Sequence, residues 1–125
     1  REIAVRPCVD TVLHCVSAYP TPLASASIAA IRDLPLPIAV RRGYSDHTKS
    51  ELAGAFAVAA GAQVVETHFC LPSTDPANPD RVVSHEPAAF GRYIANLRLA
   101  EDMVGDGGKR VMICEIPMTR YAVRT

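Results

Sequence analysis

The sequence predicts an α/β fold built on parallel strands, and three observations lead to that expectation. Three runs rich in β-forming residues alternate with three segments whose apolar residues recur at helical spacing. The starts of the three runs lie about 25 residues apart, which is typical of parallel βα units. Polar side chains collect at the end of each run, where parallel sheets place their functional groups.

Each predicted strand runs out into a loop. The strands are TVLHCVS (11–17), PIAVRRGYS (37–45) and AQVVETHF (62–69). The turn residues YPTP follow the first strand, and a loop rich in Pro, Asp and Asn follows the third. We therefore expect the functional groups of this chain in the loops that follow its strands.

Three helices are predicted between and after the strands. The first, 24–34, ends before a proline, and the second, 49–62, is rich in alanine. The third, 86–105, has one broad apolar face and ends at a glycine. Such units form either an open doubly wound sheet or a (β/α)₈ barrel. No Gly-rich phosphate loop follows any strand, which weakens the dinucleotide-binding alternative.

Composition excludes several classes of function. The 125 residues include 13 basic and 13 acidic side chains, whereas nucleic-acid and membrane-surface proteins carry a positive excess. The four cysteines form no CxxC pair, so we expect reduced thiols in a cytoplasmic protein. There is no apolar run long enough to span a membrane and no signal peptide. The chain begins at Arg1, so we expect that the native start lies upstream.

Alternation of side chains along a strand suggests a metal site. Ser45 and His47 share one face of the second strand, and Glu66 and His68 share one face of the third. If both sets point the same way, two imidazoles converge at the mouth of the sheet. Two neutral histidines with nearby oxygens can hold a metal that keeps open positions. The alternative is that both histidines are structural residues held by hydrogen bonds.

Other polar residues have plain structural interpretations. His14 has the opposite parity to Ser17, so we expect it to face a helix. His85 lies in a loop and is expected to be solvated. Tyr19, before a proline, could pack on the rim of the sheet, and Asp80 could shape a turn.

Four blocks of the sequence resemble the sialic acid synthase family, the N-acetylneuraminate synthases. They are LHCVSAYPTP (13–22), GYSDHT (43–48), AVAAGAQVVETHF (57–69) and PD-x₃-S-x-EP (79–87), in the family's order and at nearly its spacing. The resemblance implies a (β/α)₈ TIM barrel, which needs about 250 residues. Residues 1–110 would form its last three βα units. Residues 111–125 resemble the linker toward the family's small antifreeze-like C-terminal domain.

The resemblance also implies a reaction. The family condenses phosphoenolpyruvate with an N-acylated amino-sugar aldehyde, typically N-acetylmannosamine, and releases phosphate. His47 and His68 match the family's two metal ligands for Mn²⁺ or Mg²⁺, which polarises the aldehyde oxygen. Glu66 matches the Glu of the family's E-[KR]-H-F block and is expected to orient His68 or the waters of the metal. Thr67 replaces the usual Lys or Arg and should point away from the site.

The resemblance implies substrate contacts for four residues of this sequence. Ser45 matches a serine that contacts the phosphate group, and Ser17 lies where the family places Asn or Ser near phosphoenolpyruvate. Tyr19 and Asp80 match residues that hold the sugar. The run NPDR (78–81) departs from the family's GPDH, so the identity of the sugar is the least determined part of the prediction.

Two alternatives remain open at the level of sequence. The first is a related nonulosonate synthase that makes pseudaminic or legionaminic acid. The second is a non-catalytic half-barrel remnant that acts as a binding or assembly module. In the family, the catalytic glutamate and the lysines that bind phosphoenolpyruvate lie in the other half of the barrel, and the intact enzyme is a homodimer. We therefore expect these 125 residues alone to be inactive.

Overall fold

Three strands form one parallel sheet in the order β1-β2-β3. A computed structural model describes residues 8–118 together with Arg6 and Tyr121. In it, β1 is Thr11–Cys15, β2 is Arg41–Asp46 and β3 is Val64–Thr67. The predicted α/β fold with a parallel sheet is thereby confirmed, with β2 in the centre.

The strands are shorter than the sequence predicts because local hydrogen bonds end them. The carbonyl oxygen of Val16 leaves the sheet and accepts from the Ala18 N–H at 2.8 Å and the Thr21 hydroxyl at 3.1 Å. Before β2, the Val40 N–H donates to the Pro37 carbonyl at 2.9 Å, so residues 37–40 form a turn. These turns use backbone groups that a longer ladder would need.

Helix α2 spans Pro87–Val104 and matches the predicted helix 86–105. A proline in its first turn lacks the N–H that a helix start leaves unpaired anyway. Gly105 follows with a φ of 60°, a left-handed conformation that glycine adopts without steric cost. Both ends of α2 could therefore be predicted from the sequence.

Helix α1 spans Ala53–Ala59 and is half as long as the predicted 49–62. The missing turns form a loop held by side chains. The Ser50 N–H donates to the Thr48 hydroxyl and the Leu52 N–H donates to the Ser50 hydroxyl, each at 3.2 Å. Such local bonds compete with helix formation.

The predicted helix 24–34 is wrong. Two short 3₁₀ helices, Leu23–Ser25 and Ile28–Ile31, occupy this segment. Between them, Ser27 has a φ of 47°, in the left-handed region. A single left-handed residue interrupts the i to i−4 hydrogen bonds of an α-helix. The apolar residues of this segment therefore lie in two separate short helices.

The two faces of the sheet differ in their surroundings. On the outer face, Tyr44 packs with Ile31 and with small alanines of the α1 region, which form the core. On the inner face, Leu13, Gly43 and Val64 lie side by side in register. A Cβ atom at Gly43 would lie 2.3 Å from Leu13 Cδ2, so only glycine fits there. None of the helices in the described chain is both long and apolar enough to cross a membrane.

Candidate active site

One row of polar side chains crosses the inner face of the sheet. The strand register aligns Cys15 with Ser45 and Ser45 with Glu66. The Ser45 hydroxyl donates to the Glu66 carboxylate at 2.6 Å, which is typical of a charge-assisted hydrogen bond. Cys15 was not chosen from the sequence as a site residue. Its parity with Ser17, known from the sequence, was the signal that could have found it.

His47 follows β2 and projects onto the same face, where it is 5% exposed. Its Nδ1 lies 3.1 Å from the carbonyl oxygen of Val16. A carbonyl only accepts, so Nδ1 carries the proton and Nε2 presents its lone pair. That lone pair accepts from the Tyr19 hydroxyl at 3.1 Å. A ring whose second nitrogen is tied to a backbone carbonyl has the orientation that metal-binding histidines show.

The loop after β1 holds His47 by its backbone as well. The Thr21 N–H donates to the His47 carbonyl at 2.8 Å. Thr21 is buried and its hydroxyl donates in turn to the carbonyls of Val16 and Ala18. The position of His47 is therefore fixed jointly by β1 and β2.

His68 follows β3 and completes a group of three rings. Its ring centroid lies 5.2 Å from that of His47 and 6.0 Å from that of Tyr19. The Tyr19 ring packs against the His47 ring with centroids 4.2 Å apart and planes tilted by 30°. The His85 N–H donates to the His68 carbonyl at 2.9 Å, which ties the residue to the later loop. The two imidazoles thus converge from neighbouring strand ends.

The ring separation is compatible with one shared metal ion. If each ring nitrogen lies about 2.1 Å from an ion, two imidazole centroids are about 4.5–5.2 Å apart for ligand angles of roughly 90–110°. The observed 5.2 Å lies at the upper end of this range. Among the described residues, no group of three or more His, Cys, Asp or Glu is arranged around one such point. His47 and His68 are the two side chains of the cluster that could supply nitrogen ligands to an ion.

Two predicted substrate residues are exposed and are not hydrogen-bonded to this cluster in the described chain. Ser17 is exposed beyond the end of β1. Asp80 is exposed in the 3₁₀ helix Pro79–Val82, which is capped by the Asn78 side chain accepting from the Asp80 N–H at 2.9 Å. Neither side chain makes a hydrogen bond to the histidines within the described residues. The turn is therefore capped by the Asn78 side chain and not by that of Asp80.

The expectation that His85 is solvated is wrong. It is 2% exposed and its ring lies 5.0 Å from that of Tyr93. Its backbone pairs with the segment after β3, donating to His68 and accepting from the Cys70 N–H at 3.1 Å. Burial, the largest cause, lowers the pKa of His85. The long loop folds back on the sheet edge, which residue types alone did not indicate.

His14 lies on the outer face, as its parity predicts. Its Nε2 lies 3.1 Å from the carbonyl oxygen of Ala26, between the two 3₁₀ helices. Its ring stacks on Tyr44 with centroids 6.0 Å apart. Thr67 also faces outward, in register with Asp46. Both residues are thereby separated from the cluster by the sheet.

The sequence profile of the NeuB family matches residues 8–109. The chain belongs to the NeuB family. It is 34% identical, over 114 residues, to the N,N'-diacetyllegionaminic acid synthase of Legionella pneumophila, covering 91% of this chain and 32% of that one. It is 37% identical over 95 residues to a pseudaminic acid synthase of Campylobacter jejuni, covering 76% of this chain and 27% of that one.

A NeuB-family fold is also found among solved structures. The N-acetylneuraminic acid synthetase of Leptospira borgpetersenii, crystallised with citrate, superposes with a TM-score of 0.75 at 29% identity. The match covers 89% of this chain and 39% of that one. The chain spans about a third of the length of the curated relatives named above. Homologues within the NeuB family are thus synthases of sialic, legionaminic and pseudaminic acids.

Proposed function

We propose that this chain is the last three βα units of a NeuB-family synthase barrel. The reaction proposed for the whole protein is condensation of phosphoenolpyruvate with an N-acyl amino-sugar aldehyde, with release of phosphate. The observation that carries the proposal is the convergence of His47 and His68, 5.2 Å apart, at the ends of two adjacent parallel strands of a NeuB-family chain. Carboxyl ends of parallel strands are where such barrels place their chemistry.

In this proposal, His47 and His68 bind a divalent ion, Mn²⁺ or Mg²⁺. The Nδ1–H bond to the Val16 carbonyl holds the His47 ring so that Nε2 faces the cluster. When bound, the ion supplies Lewis-acid polarisation of the aldehyde oxygen, which prepares the carbon for attack by C3 of phosphoenolpyruvate. The Tyr19 hydroxyl, 3.1 Å from Nε2, lies where it can donate to a substrate oxygen next to His47.

Ser45 and Glu66 act as a pair in the proposed site. The 2.6 Å hydrogen bond between them fixes both rotamers on the inner face. We assign the Ser45 hydroxyl to the phosphate of phosphoenolpyruvate and the exposed Glu66 carboxylate to waters around His68. Ser17, after β1, and Asp80, in the 3₁₀ helix Pro79–Val82, are both exposed, and their proposed contacts to substrate need these segments to move or the rest of the barrel to be present.

The acceptor sugar is assigned at the level of class. The relatives include synthases of legionaminic and pseudaminic acids alongside the sialic acid synthetase structure. These relatives support the sialic, legionaminic and pseudaminic acid alternatives equally. N-acetylmannosamine and the corresponding diacetamido hexoses are therefore equivalent candidates.

Phosphate release tests this proposal. The intact protein that contains these residues is incubated with phosphoenolpyruvate, Mn²⁺ and each candidate sugar in turn. We expect phosphate to appear only when phosphoenolpyruvate and one of the sugars are both present. His68→Ala should slow phosphate release on the order of a hundredfold, and His14→Ala, on the opposite face, should retain it. Phosphate release from none of the sugars would instead support a non-catalytic binding module.

A further inference from the structure

A carboxylate is buried directly behind the candidate site. Asp46 precedes His47 on β2, points to the outer face and is 0% exposed. No Lys, Arg or His side chain lies within ion-pair distance of it among the described residues. A buried carboxylate without a cation is costly unless hydrogen bonds replace its water. The hydrogen-bond partners of Asp46 therefore determine whether the C-terminal end of β2 is held in position.

Two hydrogen bonds reach this carboxylate from outside β2, in addition to the interaction of the Tyr44 side chain on the same face of the strand. The Thr48 N–H donates to Oδ1 at 2.8 Å within the loop itself. The Tyr93 hydroxyl, from the middle of α2, donates to Oδ2 at 3.0 Å. In the described chain, Tyr93 is the one side chain from outside β2 that donates to Asp46. Burial, followed by the Asp46 charge, raises the pKa of Tyr93, so the hydroxyl stays protonated and remains a donor.

The fold makes room for this contact in α1. A Cβ atom at Gly54 would lie 2.7 Å from the Tyr93 hydroxyl oxygen and from two carbons of its ring. Glycine is intrinsically less favourable than alanine at a helical position. The cost is offset by the close approach of α1 to the Tyr93 ring. Gly54, Tyr93 and Asp46 thus connect α1, α2 and β2 at one point.

We propose that Tyr93 is a positioning residue for His47 and acts through Asp46. Alternation along β2 places Asp46 and His47 on opposite faces, so anchoring one sets the rotation of the strand end that presents the other. On the inner face, hydrogen bonds to the Val16 carbonyl and the Tyr19 hydroxyl hold the His47 ring. On the outer face, the hydrogen bond from Tyr93 holds the Asp46 carboxylate. The metal-related part of this inference rests on the proposed function, whereas the orientation of the His47 ring does not.

The first test measures ring orientation without metal. Tyr93→Phe deletes one oxygen and keeps the packing of the ring. In ¹⁵N spectra of the histidine side chains of the intact protein, His47 should show a single Nδ1–H tautomer in the wild type and a mixture in Tyr93→Phe. Exchange of the Thr48 amide with solvent should accelerate about tenfold, since the carboxylate that accepts from it loses its anchor on α2. A wild-type spectrum and wild-type exchange in Tyr93→Phe would overturn the proposal.

Two further variants distinguish a loss of His47 orientation from a general loss of protein stability. Gly54→Ala displaces the same hydroxyl from the α1 side and should reproduce the spectrum of Tyr93→Phe, even if Tyr93→Phe itself folds poorly. Val83→Ala truncates a fully buried side chain outside the Asp46 contact. It should lower the melting temperature while leaving the His47 spectrum unchanged. A disturbed His47 spectrum in Val83→Ala would show that any loss of stability has this effect, and would overturn the specific role of Tyr93.

The second test adds Mn²⁺ and follows its binding by electron paramagnetic resonance. We expect the Kd of Tyr93→Phe to rise about tenfold, as for other residues that orient a metal ligand. A wild type that binds no Mn²⁺ would contradict the proposed function, and the metal-free spectra would still decide the role of Tyr93. Equal Mn²⁺ affinity in wild type and Tyr93→Phe would contradict the positioning role alone.

Discussion

The Tyr19 and Ser45 hydroxyls both lie near Nε2 of His47, at 3.1 Å and 3.5 Å, but they donate to different groups. Tyr19 donates to His47 Nε2 at 3.1 Å, whereas Ser45 donates to Glu66 at 2.6 Å. We propose that Tyr19 contacts the acceptor sugar and that Ser45 contacts the phosphate of phosphoenolpyruvate. The two residues therefore offer a crossed test of the substrate layout.

Tyr19→Phe should raise KM for the sugar and leave KM for phosphoenolpyruvate nearly unchanged. Ser45→Ala should do the reverse. Each change removes one hydrogen bond, which contributes about 0.5–1.5 kcal/mol, so we expect KM to rise roughly twofold to tenfold. Steady-state kinetics of the intact protein, with each substrate varied in turn, measure both effects. If the two selectivities are exchanged, the proposed layout is inverted.

Burial of His85 makes stability depend on pH. Its pKa is lowered in the folded state, whereas an unfolded histidine titrates near about 6.5. As pH falls below that value, the unfolded state takes up a proton before the folded state does, so the free energy of unfolding decreases. The loss continues until pH reaches the lowered pKa of the folded protein. The stability that neutral His85 contributes is therefore fully present above the pKa of the unfolded histidine.

We predict that the melting temperature of the intact protein falls between pH 7.5 and pH 5.5 and that His85→Leu reduces this fall. Leucine fills a similar volume and removes a buried Nε2 that has no hydrogen-bond partner in the structure. Thermal melts at a series of pH values compare the two proteins. An identical slope in both would show that His85 does not contribute to the pH dependence.

At the scale of elements, the central strand depends on a glycine. In β2, a Cβ atom at Gly43 would lie 2.6 Å from the Val64 carbonyl oxygen as well as against Leu13. We predict that Gly43→Ala destabilises the protein by about 1–3 kcal/mol through overpacking. Gly91→Ala is the matched control, because a Cβ there meets open space on α2. It should stabilise the helix by roughly 0.5–1 kcal/mol. Denaturant unfolding measures the change in the free energy of unfolding for both variants. Equal changes would contradict the packing argument.

Elements set by local signals were predictable from the sequence. Helix α2 has an apolar face, a proline at its start and Gly105 at its end, and its observed bounds agree with the prediction. The segment 24–34 has the same apolar spacing, yet it forms two 3₁₀ helices because Ser27 is left-handed. Nothing in the residue types around Ser27 requires that conformation. It is set by how the chain returns from β1 to β2.

The candidate site was predictable to the extent that it follows from strand parity. Alternation placed Ser45 and His47 on one face, and the parallel register brought Glu66 beside Ser45. Parity does not reveal backbone partners, so the Val16 carbonyl that sets the His47 tautomer was not foreseen. It also gives no information about long loops, which is why the burial of His85 was missed.

At the scale of the whole molecule, the described sheet has an inner face without a covering layer. Cys15 and Glu66 on that face are exposed, and no described strand pairs with the outer edges of β1 or β3. In a barrel, further strands would cover both. We predict that residues 1–125 expressed alone are inactive and lack a cooperative thermal transition, since unpaired parallel edges favour association. A monomeric, cooperative melt would contradict this expectation.

The central claim is that His47 and His68 together bind one divalent ion, and Mn²⁺ titration of the intact protein tests it most directly. Electron paramagnetic resonance of free Mn²⁺ gives Kd for the wild type, His68→Ala and His14→Ala. The account predicts one site, a Kd at least about tenfold weaker in His68→Ala, and a wild-type Kd in His14→Ala, whose ring lies behind the sheet. Removing a ligand should also lower kcat on the order of a hundredfold. Unchanged Mn²⁺ affinity in His68→Ala would contradict the account.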